Sequence, residues 1–510
     1  MRSIVIGKHT LESLTSGMYS DPYVVFREYI QNSVDSVDEA IRAGVMTLGS
    51  EQIVVKLVPT ENQIVISDNG LGIPASEVEK TLISIGNSKK SSESSRGFRG
   101  IGRLSALSYC KRLTFTTSYK GEAIATQIII DASKLAEVLA DDSRADVTVV
   151  DVLESVYTTL TKPEKDEEHY FSVQLDGVDT NSRLLSYAEV EDYLTQNAPV
   201  PYSPDFVWGK EIVKRLQNEG LTISSYNISL EYGTRVAPLY KPYRDQFIVD
   251  KGKSITDTVQ DIQIVKIPND RETLTAIGWL GKTGYKGSIY EKAVKGIRLR
   301  KGNILIGDHQ TLNVVFKDAR FNGWSIGEIF AIDKLLIPNA RRDNFEKNPA
   351  YFALFEQLMT LAAEITRDIR ATSLKRNSLL SNAISQLNET AQQAASAIDQ
   401  GVSGVQKGLI TKKLKEAHAA VSNSMINGDS EQYCQDIAFA ELDMLIGKLK
   451  GTTKYKALNT IDSLTNTEKK ILERVIYIIE SLELNNADII IDAILDNFST
   501  RPLPSDKAQG

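Results

Sequence analysis

Cysteine is nearly missing from this chain: two residues in 510, Cys110 and Cys434, and no CxxC pair. That excludes a disulfide framework and a cysteine-based zinc site, and fits a reducing compartment. Histidine is as scarce. His9, His169, His309 and His418 form no pair at helical spacing, so no histidine metal centre is expected. Long apolar runs are missing too. Even ADIIIDAIL near the end carries Asp488 and Asp492, so no membrane span is expected. The N-terminal MRSIVIGKHTLESL is interrupted by Gly, Lys and His and does not read as a secretion signal. An excess of basic charge is also lacking. Against 66 acidic residues stand 59 basic ones, a net charge of −7. A general nucleic-acid binder is therefore disfavoured, while a local basic patch is not. The expectation is a soluble, cytoplasmic protein.

What is present is ordinary globular material, 42% apolar and 25% charged. The length suggests about three domains. Charge is uneven along the chain. Residues 131–206 carry 5 basic and 17 acidic side chains, whereas 207–347 carry 23 and 16. Pro-rich breaks fall near both shifts, at 198–206 and at Pro349. The expected division is 1–200, 201–347 and 348–510.

The first part alternates helix and strand. Asp21-Pro22 opens a helix that runs to Gly44, with Pro placed for a first turn and Gly for a stop. EQIVVKLVP and NQIVISD read as a hairpin of β-branched strands. SEVEKTLISIG is a short helix in which Ser76 and Glu79 fit a capping box. GRLSALSYC is a third helix, and KRLTFTTSYKGEAIATQIIID gives two further strands. KGIRLRKGNILIG and WSIGEIFAI are strands of the middle part. From Tyr351 the apolar spacing becomes i, i+3, i+4 and stays helical to about Gln400, with more helices beyond.

Three segments carry chemistry. In REYIQNSVDSVDEA, Glu28, Asn32 and Asp35 fall at i, i+4 and i+7, on one helix face. The Asn32 amide oxygen suits Mg²⁺ shared with a phosphate, and Glu28 suits proton abstraction from a water. Taken alone, the same face also reads as a solvated polar surface. In ISDNGLGIP, Asp68 ends a strand and is followed by Gly70 and Gly72. A carboxylate there can accept from an exocyclic amine while glycine admits a flat ring, although a plain turn has the same composition. In RGFRGIGRLSAL, Gly97, Gly100 and Gly102 lead into a helix, a start that can cradle phosphate. The spacing is neither GxxxxGK[ST] nor GxGxxG.

In this order and spacing the three segments resemble the nucleotide-binding domain of the GHKL superfamily, which includes gyrase-type topoisomerases, HtpG-type chaperones, histidine kinases and MutL. The resemblance covers roughly 1–200. It implies a two-layer α/β sandwich within an α+β chain, binding ATP and Mg²⁺. It further implies Glu28 as general base, Asn32 as Mg²⁺ ligand, Asp35 in support, Asp68 as adenine reader and Gly70 and Gly72 beside the adenine. Gly97, Gly100, Ile101 and Gly102 would wrap the phosphates. The polar stretch 86–100 resembles the ATP lid, with Lys89 or Lys90 near phosphate. The Gly-Thr pair usual on a late strand is missing, and Thr158 or Thr159 is the available substitute.

KGIRLRKGNILIGD resembles the second-domain strand of the chaperone, MutL and MORC branches. In EIFAIDKLLIPNARRDNFEKNP, Asn339, Arg342 and Asp343 match the chaperone's Asn-x-Ser-Arg-Glu, with Arg341 in place of Ser. Arg342 is then the expected γ-phosphate sensor and Arg341 the alternative. A histidine kinase is disfavoured because His9 makes a poor phospho-acceptor. Seven cations, Lys282, Lys286, Lys292, Lys295, Arg298, Arg300 and Lys301, mark a candidate DNA-binding patch within 282–301. Phe352, Leu354, Phe355, Leu358, Leu361 and Ile365 form a stripe suited to a core or a dimer seam. The expected function is a Mg-dependent ATPase acting as a homodimeric clamp on a protein client. The alternatives are a MORC- or MutL-like DNA clamp and a nucleotide-gated scaffold with little hydrolysis.

Overall fold

The computed structural model describes residues 7–8, 10–11, 21–84, 102–141, 147–250, 252, 254–268, 273–400, 404–422, 439–440, 442–449, 464–482, 484 and 486–500. The fold is α+β, with two mixed sheets followed by helices. The chain forms two compact units, Met1–Ile369 and Arg370–Gly510.

The first unit opens with helix α1, Val24–Arg42. Asp21 accepts from the Tyr23 N–H at 3.0 Å just before it, and Gly44 follows at φ +69°. Val25, Phe26, Tyr29, Ile30, Val34 and Val37 form its buried stripe. That stripe lies on a sheet of alternating strands, β1 (Ile53–Val58) and β2 (Gln63–Asp68), with Ile53, Val55, Leu57, Ile64 and Ile66 facing it. Alternation of this kind leaves one face of a sheet for the core and the other for solvent. Strands β3 (Arg112–Ser118), β4 (Ile124–Asp131), β5 (Tyr157–Pro163) and β6 (Tyr170–Asp176) extend it.

The sheet also takes in β7 (Ile228–Tyr232) and β8 (Arg235–Pro238), in the order β5-β4-β3-β6-β2-β1-β7-β8. β7 runs parallel to β1, Ile53 opposite Ile228. A boundary at residue 200 thus does not separate the sheets, because a hairpin from beyond it completes the first one.

The second sheet has the order β13-β12-β14-β11-β10-β9. Its strands are β9 (Gln246–Asp250), β10 (Ile255–Pro268), β11 (Leu274–Thr283), β12 (Gly296–Lys301), β13 (Ile304–Ile306) and β14 (Ile326–Ala331). A helix of 52 residues, Pro349–Gln400, follows. Asn348 accepts from the Tyr351 N–H at 2.9 Å and Pro349 holds the first position, the expected chemistry of a helix start. Leu354, Phe355, Leu358 and Ile365 pack into the second core. Most of the apolar stripe is thus intramolecular core, and Phe352 alone of its six residues is exposed. The compact unit consequently reaches past 348 to Ile369.

Two local expectations differ from what forms. Ser76 and Glu79 make no capping box: the helix Val78–Ile83 has Glu77 at its cap with no side-chain bond, and Glu79 accepts from Thr159 instead. Residues Gly102–Ser108 form a 3₁₀ helix, not an α-helix. In the second unit, one apolar cluster joins Leu387, Ala394, Leu414, Val421 and Leu442, and another joins Leu464, Leu472, Ile476, Ile491 and Leu495. No helix among the described residues is long and apolar enough to cross a membrane.

Candidate functional site

Helix α1 carries Glu28, Asn32 and Asp35 at successive turns. Glu28 and Asp35 are buried, and Asn32 is half-buried with no side-chain hydrogen bond to the described residues. A Cβ at Gly102 would collide with the Glu28 carboxylate, so glycine there lets the backbone cross directly over that carboxylate. Next to it, the Tyr29 hydroxyl donates to the Arg103 carbonyl at 2.7 Å. The Arg103 guanidinium donates to the Leu82 carbonyl at 2.9 Å and to the Ser84 carbonyl. Arg103 thereby ties together the two ends of segment 85–101. Arg103 is not among the residues expected from the sequence, although its place directly after the last glycine is the available signal. Burial lowers its pKa to about 10. Lys89, Gly97, Gly100 and Ile101 lie outside the described residues.

Asp68 is buried at the end of β2, and its carboxylate accepts from the Gly70 N–H at 3.0 Å. The loop that follows is pinned on three sides. Leu71 N–H donates to the Ser36 carbonyl of α1 at 3.2 Å. His169 Nδ1 meets the Gly70 carbonyl at 2.7 Å. Ile73 N–H donates to the Thr117 hydroxyl at 2.9 Å, which itself donates to the Tyr170 carbonyl at 2.9 Å. Gly72 sits at φ +74°, and a side chain on it would run into the Ser118 carbonyl. Thr117 is therefore the threonine beside the Asp68 loop. Thr158 and Thr159 are not, because β5 is separated from β2 by β4, β3 and β6. The run LTFTTS put threonines on a strand without saying which strand adjoins β2.

The second sheet contributes across a wide sequence gap. Pro338 and Phe345 bridge, Asn339 N–H donates to the Asn344 carbonyl at 2.9 Å, and the Asn339 amide donates to Asp343 at 2.6 Å. This tight loop holds Arg342 at φ +55°, with its carbonyl fixed by the Gly307 N–H at 2.9 Å. Its guanidinium Nε stands 3.4 Å from Glu28 Oε1. Arg27 lies on the other side, 3.8 Å from the same oxygen, and donates to the Arg341 carbonyl at 2.9 Å. Arg341 itself is exposed. The loop thus brings Arg342, and not Arg341, to Glu28. Two guanidiniums beside one buried carboxylate leave this corner with a net positive charge.

The seven cations at 282–301 do not form one exposed patch. Arg298 and Arg300 are interior. Lys282 pairs with Asp368 at 2.7 Å, Lys286 donates to the Thr256 carbonyl at 2.9 Å, and Lys301 donates to the Asp333 carbonyl at 2.7 Å. Of the seven, only Lys292 is exposed. The strand β12 is covered on both faces, so its charges face protein.

Residues 19–156 match the family described as histidine kinase-, DNA gyrase B-, and HSP90-like ATPase. A segment of 131 residues is 28% identical to the chaperone protein HtpG of Halalkalibacterium halodurans, covering 22% of this chain and 21% of that protein. The chain thus spans about a fifth of that relative's length. Residues 19–156 thus form a domain similar to GHKL-type ATPases.

Proposed function

We propose that the chain binds ATP with Mg²⁺ and hydrolyses it, Glu28 taking the proton of the water that attacks the γ-phosphorus as ADP departs. The observation that carries this reading is the 3.4 Å approach of Arg342 to Glu28. Two residues separated by most of the first unit meet at the carboxylate where a γ-phosphate would have to be attacked. Arginine remains charged and offers a fork that matches phosphate oxygens. In the state described, Arg342 occupies Glu28. A γ-phosphate competes for that guanidinium and leaves Glu28 free to act as base.

Mg²⁺ fits the donor set: Asn32 offers an amide oxygen without a partner among the described residues, and phosphate oxygens complete the coordination. When bound, the ion neutralises charge on the phosphates. Asp68, fixed by Gly70 at the end of β2, is assigned to the adenine amine. Asp68→Asn, which turns an acceptor oxygen into an NH₂ donor, is expected to lower ATP affinity at least about 100-fold. Equilibrium binding of ATP measures this, and unchanged affinity removes Asp68 from the site.

The client is assigned to the protein class, with the chain acting as a dimeric clamp. Similarity to a protein named as a chaperone supports this reading. The DNA alternative has lost the seven-cation surface that motivated it. Support for a homodimer comes from helix Asn466–Ser481 and the residue after it, where Ile471, Val475, Ile478 and Leu482 repeat at 4-3-4 spacing and are exposed. Sedimentation of the full chain beside a chain ending at Ile369 is expected to give a dimer and a monomer. A dimeric short chain moves the seam into the first unit.

A further inference from the structure

Strand β6 reaches beyond the end of its neighbour β2. In their antiparallel register Phe171 stands opposite Asp68, so the residues just before it run on beside the loop that follows Asp68. Carried two residues further, that register sets His169 opposite Gly70. The backbone on either side of His169 is held from β3. The Glu168 carbonyl accepts from the Ser118 hydroxyl at 3.2 Å, and the Tyr170 carbonyl accepts from the Thr117 hydroxyl at 2.9 Å. The Gly121 N–H donates to the Asp166 carbonyl at 2.6 Å and closes the hairpin behind. A side chain on a backbone fixed at both sides is well placed to fix something else.

What His169 fixes is Gly70. Its Nδ1 lies 2.7 Å from the Gly70 carbonyl. A carbonyl oxygen only accepts, so Nδ1 carries the proton in this contact. Gly70 is thereby used at both ends: its carbonyl takes the imidazole N–H, and its own N–H donates to the Asp68 carboxylate at 3.0 Å. A Cβ on Gly70 would run into the Ser36 hydroxyl, so this point of the loop is held by backbone bonds and by no side chain of its own.

We propose that His169 is a positioning residue for base recognition: it holds Gly70, and through Gly70 it sets the direction in which Asp68 presents its carboxylate to the exocyclic amine of adenine. The inference rests on the reading of Asp68 as the adenine acceptor. A hydrogen bond weakens steeply with misalignment, so a carboxylate that swings loses the amine while phosphate contacts remain. Guanine carries an acceptor oxygen where adenine carries its amine, and it draws no bond from that carboxylate. The preference for ATP over GTP therefore reports how firmly Asp68 is aimed.

His169→Leu removes the donor and keeps a side chain of similar reach. Without nucleotide, the Leu71 and Ile73 amides are expected to exchange with solvent about 5–10-fold faster. ATP affinity is expected to fall about 10-fold, with the ATP-to-GTP preference falling by the same factor. Turnover at saturating ATP is expected to stay within about twofold. His169→Asn sets an amide N–H where Nδ1–H stood and is expected to restore all of these. A lowered unfolding midpoint with an unchanged ATP-to-GTP preference assigns His169 to structure alone and overturns the proposal. Unchanged amide exchange overturns it as well. If Asp68→Asn lowers ATP affinity and His169→Leu does not, this inference alone fails. If the wild-type chain binds no ATP, the ATP reading and the role of His169 fall together.

Discussion

Glu28→Gln is expected to lower ATP turnover by about 10²–10⁴-fold, the range lost when a general base is removed. Glutamine preserves shape and hydrogen-bonding capacity but cannot accept the proton. Gly102 remains able to cross it, since no atom is added at the contact. ATP affinity is expected to stay within about threefold, because the substitution acts on the reaction and not on adenine recognition. If anything, affinity rises. The Arg342 guanidinium, 3.4 Å from Glu28 in the wild-type chain, loses its anionic competitor and is available to the γ-phosphate. A scaffold that scarcely hydrolyses ATP would instead show the same low turnover in both proteins.

Glu328→Gln is the substitution expected to cost most in stability, about 3–5 kcal/mol by denaturant unfolding. Glu328 is fully buried between Lys241 and Arg300 and also accepts from the Trp279 indole at 3.1 Å. It is the anion of a node that holds Arg298 close by. Burial opposes its charge, but Arg300 and Lys241 prevail and hold its pKa at about 2. Burial and the neighbouring Arg300 push Lys241 from 10.5 down to about 7, since Arg300 already neutralises the carboxylate.

The sign for Lys241 follows from linkage. Between about 7 and 10.5 the unfolded chain binds a proton on Lys241 that the folded chain does not, so stability rises with pH through that window and the gain is lost on descending to pH 7. Lys241→Met is expected to flatten this slope. An unaltered slope in the variant assigns the pH dependence elsewhere, and a loss under about 1 kcal/mol for Glu328→Gln shows that the node is not held by its anion.

The parts of the fold that were legible are those in which pattern and packing coincide. The α1 stripe at Phe26, Tyr29, Ile30, Val34 and Val37 has the helical period, and β1 and β2 alternate as a half-covered sheet does. The Asp68 turn was legible because its glycines answer to backbone collisions. What stayed hidden depends on distant pairing. Nothing local in ISLEY says that it lies parallel to β1, and the counter-charge for Arg300 is Glu328, on a different strand. A run of cations reads as surface until that partner is known. Likewise Arg342 was preferred over Arg341 by resemblance, whereas its approach to Glu28 is visible only once the loop's left-handed residue is placed.

The most direct measurement is steady-state phosphate release from Mg-ATP by the wild-type chain beside Glu28→Gln, with ATP binding measured on both. The expected result is release by the wild-type chain that the variant lacks, with ATP bound by each. Equal release from the two proteins, or ATP bound by the wild-type chain without release, would contradict Glu28 as the base of an ATP-hydrolysing site.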